Sequence, residues 1–141
     1  MIGKCLCESV RFEITGSVPN LYQCHCSLCR KQSGTSSNAA TFIHESNFSW
    51  LEGESQIAHY KKATGFTADF CATCGCPVPN RLRDTDKYWV PAGLLEGAEK
   101  LRVVADICTA SSIAWEPESK AENQFADMPA FETLNKILCA K

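Results

Sequence analysis

Cys24-His25-Cys26-Ser27-Leu28-Cys29 places three thiols within six residues, at the spacing C-x-C-x-x-C. A disulfide framework does not explain so tight a triplet, because neighbouring pairs would be strained and one sulfur would be left over. A soft metal ion does: three thiolates converge on one ion from a single turn and the start of a helix. Two pairs flank the triplet, Cys5-Leu6-Cys7 upstream and Cys71-Ala72-Thr73-Cys74 downstream. Pairs at C-x-C and C-x-x-C, far apart in sequence, form the usual pincer of a structural tetrahedral site. Cys5, Cys7, Cys71 and Cys74 are therefore assigned to one closed centre, and Cys24, Cys26 and Cys29 to a second. Four thiolates close a tetrahedron, whereas three leave a corner. Zinc is the default ion, one structural and one labile and catalytic, with iron the alternative in the four-thiol set.

The open centre has a definable chemistry. Three thiolates leave a zinc ion with a net negative charge and weak Lewis acidity, so bound water is acidified less than at a three-histidine site. That disfavours hydrolysis. Such a centre should instead exchange its fourth ligand for another thiol and hold it as thiolate, the nucleophilic form. The expected substrate is a small thiol, with Cys24, Cys26 and Cys29 as catalytic ligands. Arg30 and Lys31 follow directly and could pair with the carboxylates of such a ligand, though a solvated helix end is the plainer reading. Cys76 and Glu8 are the candidates to close the corner from within the chain. His25 reads as a packed or solvent-facing residue, and His44 and His59 have no ligand-spaced partner.

The elements that must position these sulfurs are short. Val10 to Thr15 alternates apolar and polar residues as a half-buried strand does, and Gly16 to Asn20 breaks it. An extended segment just before that strand would aim Cys5 and Cys7 to one side. Ser27 reads as the N-cap of a short helix over Leu28 to Gln32, with Gly34 as its stop. Strands follow at Asn38–Ile43, Phe48–Leu51, Gln56–Tyr60, Gly65–Phe70, Lys87–Val90 and Leu101–Ile107, with Glu52-Gly53-Glu54 as a turn. Pro77-Val78-Pro79 excludes a central strand there. Cys108 falls in a strand pattern and Cys139 in a tail helix over Phe131–Leu138, where free cysteine behaves as a small buried hydrophobe. Glu116 to Asn123 reads as a surface loop. Trp115 reads as a core tryptophan, with a pocket wall as the alternative.

Composition bounds the rest. The 141 residues, 45% hydrophobic and 21% charged, suit a single soluble domain spanning 1–141. A net charge of -2 supplies no basic stripe for nucleic acid. There is no apolar run long enough for a bilayer and no apolar signal core after Met1, so ten cysteines in a cytoplasmic chain read as metal ligands or reactive thiols.

Cys5-x-Cys7, Cys24-His25-Cys26-x-x-Cys29-Arg30-Lys31-x-x-Gly34 and Phe70-Cys71-x-x-Cys74-Gly75 resemble the glutathione-dependent formaldehyde-activating enzyme family, also called the centromere-protein-V domain. The segment from Asp106-Ile107 through Trp115 to Asp127-Met128-Pro129 is similar to that family's ending. The resemblance implies a mainly β, Mss4-like, zinc-stabilised fold of short antiparallel strands with one or two short helices. It implies two zincs on the two cysteine sets above, and condensation of glutathione with formaldehyde, a carbon–sulfur lyase run in reverse. Glu8 departs from the glycine the family often has after the first pair, and Cys76 is an additional thiol. Likeness to Mss4-type domains keeps a second function open, a non-catalytic zinc module that binds a protein partner.

Overall fold

The computed structural model describes residues 1–140. The fold is mainly β, with short strands and two short helices. Two compact units share the chain: Met1–Val18 with Phe42–Glu99, and Pro19–Thr41 with the chain from Lys100 onward.

In the first unit, β1 (Ile2–Lys4), β2 (Arg11–Ile14) and β5 (Phe48–Glu52) form an antiparallel sheet in the order β1-β2-β5. Alternation along β2 turns Phe12 and Ile14 inward, and both are buried. Phe12 stacks on Phe48 at 5.4 Å between ring centroids, and Phe48 stacks on Tyr88 at 4.1 Å. Gly3 makes this packing possible, since a Cβ there would lie 2.1 Å from the Phe12 ring. β6 (Ile57–Lys61) and β7 (Thr67–Cys71) pair as an antiparallel ribbon. β8 (Asn80–Arg81) and β9 (Lys87–Pro91) form a short hairpin. Pro77 lies outside the strands and makes only an isolated bridge to Phe70, as its missing N–H requires.

The second unit holds β3 (Leu21–Cys24), the first residues of β4 (Asn38–His44), β10 (Val103–Ile107) and β11 (Asn123–Gln124), in the order β11-β10-β3-β4. β10 runs parallel to both β3 and β11, so this sheet is mixed rather than wholly antiparallel. The parallel partner of β3 lies 82 residues downstream (Leu21 with Val103) and β11 spans only two residues, so neither leaves a turn signal in the sequence. α1 (Ser27–Ser33) follows β3 at once, and α2 (Phe131–Cys139) packs on β10 through buried Leu134 and Leu138. Among the described residues no helix is long and apolar enough to cross a membrane.

Three expectations need correction. Trp115 is 63% exposed, not core. Cys139 sits on the exposed face of α2. Cys108 lies just beyond β10 rather than inside it, in left-handed conformation with φ 58°.

Candidate metal centres

Each cysteine set comes together within one unit. The sulfurs of Cys5, Cys7, Cys71 and Cys74 lie within 4.8 Å of one another, as do those of Cys24, Cys26 and Cys29. None of the ten cysteines is in a disulfide.

Two tight turns build the four-thiol set. Cys5 and Cys7 are not extended as the strand reading expected; they sit in a turn between β1 and β2 closed by Glu8 N–H donating to Cys5 O at 3.0 Å. This turn needs a left-handed residue, and Glu8 takes φ 63°, the conformation glycine adopts most easily. Across from it, Gly75 N–H donates to Cys71 O at 2.8 Å with Gly75 at φ 72°, which brings Cys74 back over Cys71. The resulting sulfur separations are 3.7 Å for Cys5–Cys7 and 3.8 Å for Cys7–Cys71. A tetrahedron with metal–sulfur bonds of about 2.3 Å has sulfur–sulfur edges of about 3.8 Å, so the donor set fits a zinc-sized ion.

Ser9, which sequence reasoning passed over, sits among these sulfurs. Its hydroxyl is 3.0 Å from Cys7 Sγ and 3.4 Å from Cys71 Sγ. A hydroxyl hydrogen bond favours the ionised sulfur, and it lowers the Cys7 thiol and brings Cys71 down to about 6 against the opposing pull of burial. Cys74 goes the other way, raised by burial. Val10 N–H also points at Cys5 Sγ, at 3.3 Å. The turn after β5 presses on this loop: Gly53 stands at φ 76°, and a Cβ there would be 1.9 Å from Ser9 O. Cys76 packs beside the same cluster with Val10 and Val78, and its carbonyl accepts from Cys71 N–H at 2.9 Å. Glu8 is ion-paired with Lys4 at 2.7 Å. Neither Cys76 nor Glu8 is part of the three-thiol group.

The three-thiol set hangs on a strand end and a helix start. Cys24 is the last residue of β3 and is buried, while Cys26 and Cys29 are half-buried. Cys26, not Ser27, caps α1: its Sγ accepts from Cys29 N–H at 3.4 Å and its carbonyl from Arg30 N–H at 3.0 Å. A thiolate at the N-cap serves the helix and remains available as a ligand. Gly34 ends the helix in left-handed conformation, as expected. The Cys29 contact, reinforced by burial, raises the Cys24 thiol.

Cys108 is the sulfur that sequence missed here. Burial, followed by the proximity of Cys24, pushes its thiol up to about 12. The strand register explains the proximity: Ile107 pairs with Cys24, which delivers residue 108 next to the cluster. Nothing in local spacing foretells a neighbour 84 residues away. Arg30 turns back, donating from Nη1 to His25 O at 3.3 Å and to Ser111 O. Lys31 is exposed on the same helix. His44 and His59 serve local pairs with Asp86 and Asp69, both at 2.9 Å.

Residues 1–111 match the family described as glutathione-dependent formaldehyde-activating enzyme. The chain belongs to that family. A crystal structure of a Rhodobacter sphaeroides protein, a structural-genomics target, resembles this glutathione-dependent formaldehyde-activating family member at 26% identity and a TM-score of 0.59, over 71% of this chain and 92% of that one. No curated protein matches.

Proposed function

We propose that residues 1–141 act as one zinc-dependent enzyme domain, in a reducing cytoplasm, that adds a small glutathione-like thiol to formaldehyde or another small aldehyde. In the carbon–sulfur lyase reaction run in the forming direction, a C–S bond forms, the carbonyl π bond becomes a hydroxyl, and the thiol proton ends on that oxygen. The difference between four converging thiols and three carries the reading. Cys5, Cys7, Cys71 and Cys74 would hold a structural ion. An ion held by Cys24, Cys26 and Cys29 would supply a position where a substrate thiol binds as thiolate.

The chain's own residues do the positioning. β3 and α1 hold the three sulfurs on separate elements, so one side of the group stays half-buried rather than enclosed. Arg30 spends one nitrogen on His25 O and Ser111 O, which orients the guanidinium; its remaining N–H groups and Lys31 are available to a substrate carboxylate. Holding the thiol by its far end keeps sulfur and aldehyde carbon within reach.

A second reading draws on Cys108. Cys108 lies near Cys24 but outside the three-thiol group, so it would have to shift toward the other sulfurs to close the site and make the chain a non-catalytic zinc module that binds a protein partner. One measurement separates them: hemithioacetal formation from formaldehyde and glutathione, with the spontaneous rate subtracted, for native protein and Cys26→Ser. The enzyme reading expects a rate above background that Cys26→Ser abolishes. Equal rates, with zinc confirmed in the native sample, would sink it and leave the module.

A further inference from the structure

One imidazole, between two of the three thiols in sequence, is gripped by two carboxylates. His25 is 3% exposed. Its Nε2 lies 2.9 Å from Asp106 Oδ1 and its Nδ1 2.7 Å from Glu116 Oε2. Asp106, on β10, is fully buried, and its other oxygen accepts from the Ser119 hydroxyl. Ser119 Oγ in turn accepts from Ala121 N–H at 3.1 Å. Burial pushes the Glu116 carboxyl up, but hydrogen bonds with His25, Ser36 and Ser37 outweigh it and leave it below its usual range. The backbone of His25 is held as well, its N–H by Ile107 O at 3.0 Å and its carbonyl by Arg30.

A histidine that merely fills space needs one partner. Burying two carboxylates against it is costly unless each is paired, so the arrangement has to hold something in place. A neutral ring carries a single N–H, so both contacts are hydrogen bonds only when a second proton sits on the ring or on a facing carboxyl. Cys24 is fixed by its strand, but Cys26 lies beyond the last ladder pair, Ile107 with Cys24. Between them His25 is the side chain that anchors the loop to residues 106–119.

We propose that His25 is a positioning residue: with Asp106 and Glu116 it clamps the segment 106–119 to the ligand loop and sets the separation of Cys24 and Cys26. The proposal rests on the reading that the three thiols hold a metal ion. Without the clamp, the loop between strand and helix relaxes and the sulfurs lose their preset spacing, as when the supports of metal ligands are removed.

The test follows zinc release to a chelating dye in His25→Gln, Glu116→Gln and Glu116→Ala. The labile phase is assigned by its absence in Cys26→Ser, and the slow phase from the four-thiol centre serves as internal reference. Labile release should quicken about tenfold in His25→Gln and Glu116→Ala, less in Glu116→Gln, whose amide oxygen still accepts, with the slow phase unchanged. Cobalt(II) exchanged into the labile position should show altered ligand-field bands in the first two variants. Unchanged release and bands in both would overturn the proposal, and Glu116→Ala carries the test alone if His25→Gln fails to fold. Native protein with no labile metal would remove the metal reading and this inference together; native metal with unaltered variants removes only the inference.

Discussion

The two thiol clusters differ in how they are made. The four-thiol set joins two turns 64 residues apart, has Cys5 and Cys71 buried, and places a hydroxyl against its sulfurs. The three-thiol set is local, spans a strand end and a helix cap, and leaves two of its three sulfurs half-buried. Ser9 lowers thiols in the first; in the second, Cys29 and burial raise Cys24. An ion in the first ties distant chain together, whereas one in the second adds little to what the backbone already holds. In the proposed reading, stability and exchangeability would thus be separated, each in its own unit.

The largest contrast should appear when ligands are removed. Cys71→Ser is expected to cost the first unit its fold, because a structural zinc supplies on the order of 10 kcal/mol, comparable to a domain's whole stability. Cys26→Ser should melt near the native temperature while losing one equivalent of metal. Differential scanning calorimetry with zinc analysis reads both, and equal destabilisation would erase the distinction. Gly53→Ala comes next. The new methyl group meets Ser9 O at 1.9 Å in a left-handed backbone, so a loss well above about 1 kcal/mol is expected in urea unfolding. It should also loosen the four-thiol ion and spare the other.

Acid should separate the clusters in a defined order. Protons compete with metal for thiolate, so a raised thiol gives up its ion at higher pH and a lowered one at lower pH. The four-thiol set combines Cys71, lowered to about 6, with Cys74, raised to about 11, whereas the three-thiol set has one donor fewer and a raised Cys24, so the three-thiol ion should leave first as pH falls. Ser9→Ala removes the hydrogen bond that lowers Cys7 and Cys71. It should move the second release upward by roughly half a pH unit. Metal release followed by dye across a pH series checks the order, and coincident release curves would contradict it. The smallest effect is at Glu8→Gly. Glycine relieves the left-handed residue by about 1 kcal/mol, less whatever the exposed pair with Lys4 contributes, so a slight gain in melting temperature is expected.

Much of this was legible because cysteine spacing encodes ligand sets locally. The two cysteine sets follow from spacing, and α1 with its glycine stop and most strands of the first unit follow from periodicity and turn residues. What was hidden depends on register across the sheet. Asp106, Cys108 and Glu116 reach the triplet region because β10 lies parallel to β3, and no short-range pattern announces that pairing. Glu116 read as part of a polar surface loop, since a carboxylate looks the same in sequence whether it faces water or a buried histidine. Ser27 before an apolar residue reads as a cap, yet the sulfur one place earlier has the required extended backbone and takes the bond.

The 64-residue span between Cys7 and Cys71 also has a consequence in time. As the chain leaves the ribosome, Cys24, Cys26 and Cys29 emerge together and can capture an ion when little else is folded. The other set stays half-made until Cys74 appears. Closing so long a loop is an entropic cost met only after the intervening strands have formed. The three sulfurs proposed as the exchangeable position therefore meet first, yet they reach their preset spacing only when residues 106–119 follow, after the four-thiol set is complete.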